Sequence, residues 1–209
     1  MKLHTVDCKD ELATAQLVQA LALAIRSFYT AEQGSLAQTS TQVASQHQPA
    51  RSLHISLRGD LGSGKTTATR YLLAALGYAG KVKSPTYSLC EEHTIELVPT
   101  ETASQSKHTN VKIFHFDLYR MQDPKEWIEA GLAEHFSNEE KTTLCIVEWP
   151  EKAEHTLPVM DLEITLSQPQ LTNNETDLNS IDPVARRIHF CANTKNGEAI
   201  LAGLQAPNS

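Results

Sequence analysis

The chain has 209 residues, 40% of them hydrophobic, with 18 Lys and Arg against 25 Asp and Glu and a net charge of −7. That length suits one domain with a real core. The acidic balance, with no basic run, argues against strong autonomous binding to nucleic acid, which needs clustered cations on phosphates. No run of about 18 apolar residues predicts a membrane span. The N-terminus lacks the apolar core of a signal peptide, so a cytoplasmic protein is expected. The four cysteines make no C-x-x-C pair and the nine histidines no metal-ligand spacing; reduced thiols and packing or surface imidazoles are expected instead.

In chain order, residues 10–29 predict an amphipathic helix. Leu17, Leu21, Ala24 and Phe28 share a face, and Asp10 is placed to cap its start. Residues 31–50 are rich in Ser, Gln and Thr and predict a loop or disordered insert. Leu-His-Ile-Ser-Leu at 53–57 predicts a short strand. Residues 59–66 then read Gly-Asp-Leu-Gly-Ser-Gly-Lys-Thr, a complete phosphate-binding loop of the form G-x-x-x-x-G-K-T. Ala68, Tyr71, Leu72, Ala75 and Leu76 follow at helical spacing, and Gly77 stands where a C-cap would. Strand, glycine loop, helix is the arrangement this motif requires.

The residue types in the loop follow from its task. Gly62 and Gly64 let the backbone approach phosphate, and successive N–H groups form an anion nest at the positive end of the helix. Lys65 is expected to reach the β- and γ-phosphates, and the Thr66 hydroxyl to sit on Mg²⁺.

Further along, residues 82–89 predict a strand-like start followed by a Ser-Pro-Thr turn, and residues 99–110 a second polar insert. The Thr86 hydroxyl in that turn either senses a γ-phosphate or braces the turn. Val-Lys-Ile-Phe-His-Phe at 111–116 predicts a strand ending in Asp117. Arg120 either contacts phosphate or pairs with a glutamate. Asp123-Pro124-x-Glu126 predicts a helix start, with Trp127, Ile128 and Leu132 turned toward the core. Leu-Cys-Ile-Val at 144–147 predicts a buried strand ending in Glu148. Residues 161–166 and 187–191 predict two closing strands around a third polar insert at 167–182. The alternation predicts a single α/β domain: a central sheet of the P-loop NTPase kind, flanked by helices. In such folds the Mg²⁺ carboxylate lies at the carboxyl end of an apolar strand beside the loop. Both Asp117 and Glu148 fit that description.

Together these blocks resemble the TsaE family, bacterial ATPases of the tRNA threonylcarbamoyladenosine pathway. The matching segments are Gly59-Asp-Leu-Gly-Ser-Gly-Lys-Thr-Thr67, Val82-Lys-Ser-Pro-Thr-Tyr-Ser-Leu89, His115-Phe-Asp-Leu-Tyr-Arg120, Asp123-Pro-x-Glu126 with Gly131, and Val147-Glu-Trp-Pro150. They occur in family order over the middle half of the chain. The resemblance implies an Mg²⁺-dependent ATPase that binds ATP and ADP. Its partners would be TsaB and TsaD, which attach a threonylcarbamoyl group to the adenosine beside the anticodon. It would be monomeric when free and would meet tRNA only indirectly. The resemblance places Asp60, Leu61, Gly62, Ser63, Gly64, Lys65, Thr66 and Thr67 around the phosphates, with Thr86 and Trp149 beside the nucleotide. It gives Mg²⁺ to Thr66 and Glu148, and catalysis to Lys65, Asp117 and Glu148. Asp10, Glu11, Arg186 and Arg187 are candidates near the base. Ser63 stands where the family usually has Ala, and the polar inserts make this chain longer than typical members.

Two other readings compete. A small-molecule kinase would need a lid of clustered arginines, and the arginines here are scattered. A nucleotide-gated interaction module with little turnover differs from an ATPase by degree, and the hydrolysis rate separates them.

Overall fold

The computed structural model describes residues 2–31, 50–98, 108–137, 141–153, 155–169 and 184–204. The expected polar inserts fall largely outside these, at 32–49, 99–107 and 170–182. In chain order the elements are β1 (Lys2–Cys8), α1 (Glu11–Thr30), β2 (Ser52–Arg58), α2 (Lys65–Leu76), β3 (Cys90–Leu97), β4 (Thr109–Asp117), α3 (Glu126–Glu129), β5 (Thr143–Glu148), β6 (Leu162–Ser167), β7 (Arg186–Ala192) and α4 (Lys195–Gly203). Short 3₁₀ turns cover Leu132–Phe136 and Pro150–Ala153.

One seven-stranded sheet runs β1-β7-β6-β2-β5-β4-β3. Its centre, β6-β2-β5-β4, is parallel, and β3, β7 and β1 join antiparallel. The pleat sorts the core into two faces. On β4 and β5, Val111, Ile113, Leu144 and Ile146 pack with α1, α2 and α4. The intervening Phe114, Phe116, Cys145 and Val147 pack on the other face with Trp127, Met121 and Ala153. Long helices therefore cover one face, and a one-turn helix and 3₁₀ turns cover the other. No described helix is long and apolar enough to cross a membrane.

The helix signals hold where they are strongest. Asp10 accepts from the Ala13 N–H at 2.7 Å and starts α1, and α2 stops at Gly77 with φ 104°. Leu17, Leu21 and Ala24 are buried, and Phe28 is half-buried against them. Three expectations need correction. Residues 82–88 form no strand; the pairing partner of β4 begins only at Cys90. The helix expected after Asp123 is a single turn, although Glu126 accepts from the Asp123 N–H at 2.8 Å as the capping pattern requires. Within that turn Trp127 is buried while Ile128, its chain neighbour, is 42% exposed. A helix rotates successive side chains by about 100°, and in this one turn Trp127 takes the direction of the core. Neither β1 nor α4 was expected from the pattern of apolar residues.

Candidate functional site

The carboxyl ends of three adjacent parallel strands build the site. β2 runs into the glycine loop, β5 ends at Glu148 and β4 at Asp117. In register, Glu148 lies opposite both Leu57 and Asp117. In-register residues of parallel neighbours point to the same face, and strands lie about 4.8 Å apart. Both acids therefore face the side on which α2 and the loop sit.

The loop takes its shape from glycines that no other residue could replace at two points. Gly64, the residue before α2, sits at φ 101°. Gly59, at φ 135°, lies so near β6 that an added Cβ would fall 2.2 Å from the Leu166 carbonyl oxygen. From β7, Arg186 donates to the Ser63 carbonyl at 2.8 Å and to the Gly62 carbonyl at 3.4 Å. Tying carbonyls outward leaves the N–H side of the loop to face an anion.

Lys65 folds back on the loop. Its Nζ donates to the carbonyls of Gly59 at 2.6 Å and Asp60 at 2.9 Å. Nζ also lies 3.7 Å from the centre of the Trp149 ring. Burial pushes the Lys65 pKa below the ordinary lysine value, and Glu148, Glu151, Asp117 and Asp60 oppose that shift. Trp149 holds its place with a left-handed backbone, φ 60°, and donates its N–H to Leu57 O at 3.3 Å.

Glu148, 1% exposed, has three hydrogen-bond partners, as many as Asp117. Its Oε2 accepts from the Thr66 hydroxyl at 2.7 Å. Its Oε1 accepts from Thr69 at 3.3 Å and lies 2.8 Å from Nε2 of His115. Asp117 uses its oxygens differently. Oδ1 accepts the Tyr119 N–H at 3.1 Å, and Oδ2 accepts from Thr86 at 3.0 Å and from Ser84.

These groups line one cavity of about 280 Å³. Leu61, Gly62, Gly64, Lys65, Thr66, Thr67, Ser84, Thr86, Asp117, Tyr119, Glu148 and Trp149 form its wall. A larger cavity of about 790 Å³ opens beside α1 and α4, but its wall of alanines, Leu23, Phe28 and Arg51 offers little chemistry. A Mg²⁺ fits the first cavity on chemical grounds, because a hydroxyl and a carboxylate meet there as hard oxygen donors. No cluster of three His, Cys, Asp or Glu able to hold a metal occurs among the described residues. Mg²⁺ commonly completes its shell with water and substrate phosphate, so two protein ligands suffice.

The structure thus brings together Lys65, Thr66, Thr67, Thr86, Asp117, Glu148 and Trp149. Asp60 contributes its carbonyl to Lys65, and Ser63 is buried behind it. The candidates near the base have other engagements. Asp10 caps α1, Glu11 accepts from Tyr71, and Arg187 pairs with Asp7 at 2.7 Å. Arg120 packs over the Tyr87 ring at 4.2 Å. Ser84, Thr69, His115 and Tyr119 were not singled out as site residues in the sequence. Thr69 was legible as one helical turn beyond Lys65, and His115 as a polar residue between two phenylalanines, two before Asp117.

The chain is similar to known proteins in sequence and in fold. The family model described as "Threonylcarbamoyl adenosine biosynthesis protein TsaE" matches residues 29–176. A protein of Haemophilus influenzae named tRNA threonylcarbamoyladenosine biosynthesis protein TsaE is 38% identical over 116 residues, 56% of this chain and 63% of that one. A Bacillus subtilis protein of the same name is 33% identical over 114 residues, 54% of this chain and 61% of that one. The chain thus spans about three fifths of the length of these relatives. The crystal structure of Bacillus subtilis YdiB superposes with a TM-score of 0.57, covering 97% of this chain and 94% of that one at 21% identity, and shares the fold.

Proposed function

Because the chain belongs to the TsaE family, we propose that it is the ATPase of the machinery that makes N6-threonylcarbamoyladenosine next to the anticodon of tRNA. One observation carries the reading most. Thr66 at the start of α2 and Glu148 at the end of β5 meet at 2.7 Å on the wall of the cavity that Lys65 and Asp117 also line. Loop, hydroxyl and two acids are the parts that phosphoryl transfer to water requires.

In this reading the β- and γ-phosphates lie against the N–H groups of the loop. Lys65 Nζ is held by the Gly59 and Asp60 carbonyls and, at 3.5 Å, by Ser63 Oγ; releasing this longest bond would turn one donor to the phosphates, and Trp149 shields it from water. Thr66 and Glu148 hold Mg²⁺, which when bound neutralises phosphate charge. Asp117 orients the attacking water, its own carboxylate held still by Ser84, Thr86 and Tyr119. Thr86 also links the 84–88 turn to the γ-phosphate end of the cavity.

The free protein acts as a cytoplasmic monomer that docks on a TsaB–TsaD complex and reaches tRNA only through it. If ATP favours that docking, the complex must tighten ATP by the same factor. The test is reconstitution of tRNA modification with and without this chain, alongside ATP turnover with and without TsaB and TsaD. Modification that proceeds equally without the chain, or no ATP turnover in any mixture, overturns the reading.

A further inference from the structure

The cavity wall explains Glu148 Oε2, which faces Thr66. It does not explain what fixes the other oxygen. His115 sits on β4, a strand paired on both sides, by β5 and β3. It lies opposite Ile146, two residues before the Asp117–Glu148 pair and on the same face. From that diagonal position its Nε2 reaches Glu148 Oε1 at 2.8 Å, with side chains 0% and 1% exposed.

Nδ1, by contrast, has no partner among the described residues. An imidazole buried in an apolar strand with one nitrogen unsatisfied is a poor core residue, because an aliphatic side chain would fill the place without burying a polar atom. Its bond to Glu148 is the one gain that offsets this. An ionised carboxylate only accepts, so Nε2 carries the proton.

We propose that His115 is a positioning residue for the metal site. It binds Oε1 of Glu148 from beneath and so turns Oε2 alone toward Thr66 and the cavity. Thr69, at 3.3 Å, shares Oε1 but makes a longer bond. Glutamate has three rotatable bonds, and without His115 its carboxylate is free to tilt away from the cavity. The inference rests on the reading of Thr66 and Glu148 as the Mg²⁺ ligands. Partners of metal ligands commonly cost 10–100-fold in metal affinity when removed.

The test compares His115→Gln, His115→Asn and His115→Leu in the full chain, with Glu148→Gln beside them. Gln places an amide N–H near the position of Nε2. Asn is polar but one bond too short, and Leu has no donor. Three readouts are taken: the Mg²⁺ concentration that half-saturates binding of a ribose-labelled fluorescent ADP, the affinity for that nucleotide in EDTA, and the thermal midpoint without metal. Asn and Leu should raise the Mg²⁺ half-saturation about 10–100-fold and Gln only a few-fold. Nucleotide affinity in EDTA should stay within about twofold for all three, since that arm holds no metal to misplace. If Leu does not fold, the Gln–Asn contrast carries the result. Parental Mg²⁺ dependence in Asn, next to a weakened Glu148→Gln, overturns the positioning role alone. Parental dependence in both overturns the metal-site reading and the inference with it. Equal losses of metal-free affinity and stability in Gln and Asn overturn the inference in favour of plain packing.

Discussion

Glu148→Gln separates a metal-site acid from a structural one. The carboxylate accepts from Thr66 at 2.7 Å, Thr69 at 3.3 Å and His115 at 2.8 Å. His115 Nε2–H can only donate, so the Gln carbonyl must take the Oε1 place. The amide NH₂ then occupies the Oε2 place, where the Thr66 hydroxyl can rotate to accept from it. No protein donor is left bare, and the burial of a charge is relieved. Stability without metal should therefore change by no more than ~1 kcal/mol, about 2–4 °C in the thermal midpoint for a domain of this size. At the cavity the change is severe, because a cation ligand becomes a donor. Losing a charge-assisted interaction costs about 1.5–3 kcal/mol, which is roughly 10–100-fold in affinity. The assay is nucleotide binding titrated with Mg²⁺, paired with a thermal melt in EDTA. An unchanged Mg²⁺ half-saturation refutes the assignment. A collapse in the EDTA melt instead makes Glu148 a structural acid.

Asp117→Asn keeps an acceptor for Ser84 and Thr86 but loses the charge and the acceptor of the Tyr119 N–H, so ATP hydrolysis should slow about 10²-fold or more with nucleotide affinity changed by only a few-fold; equal losses of both in steady-state and binding assays would place Asp117 in binding. Lys65→Ala removes the buried cation and its bonds to Gly59 O and Asp60 O, and nucleotide binding or turnover should drop by about 10²-fold or more with the fold intact by circular dichroism; near-parental turnover would remove the lysine from the chemistry. Gly59→Ala forces a Cβ to 2.2 Å from Leu166 O at φ 135°. It should lower the thermal midpoint and abolish nucleotide binding together, and a parental melt would show that β6 can yield. Burial holds the His54 and His93 pKa values below the ordinary 6.5. Below pH 6.5 the unfolded chain therefore binds more protons than the folded one, and stability should fall as pH drops from 7 to 5. His93→Gln should flatten that slope in pH-dependent melts, and an unaltered slope would exclude His93 as a contributor.

Residues 59–66, read with the strand before them and the helix after, determine the phosphate loop by themselves. Local backbone demands dictate where glycine must stand, and α2 ends at Gly77, where the sequence places its C-cap. Asp10 and the 17-21-24 face fix α1 in the same way. The acids were legible too, because Asp117 and Glu148 each end a strand-like, largely apolar run. What surrounds each was not legible. Their hydrogen-bond partners are distant in sequence: Thr66, Thr69 and His115 on one carboxylate, Ser84 and Thr86 on the other. Strand order and register bring those neighbours together, and both depend on contacts between segments that no local pattern reports. The same holds for Arg186, which the resemblance offered only as a candidate near the base and which β7 sets against the Gly62 and Ser63 carbonyls. At residues 82–88 and at α3, local propensity gave way to tertiary fit. The turn at 84–88 is shaped by hydrogen bonds to Asp117, and a single helical turn is all that seats Trp127 on the far face of the sheet.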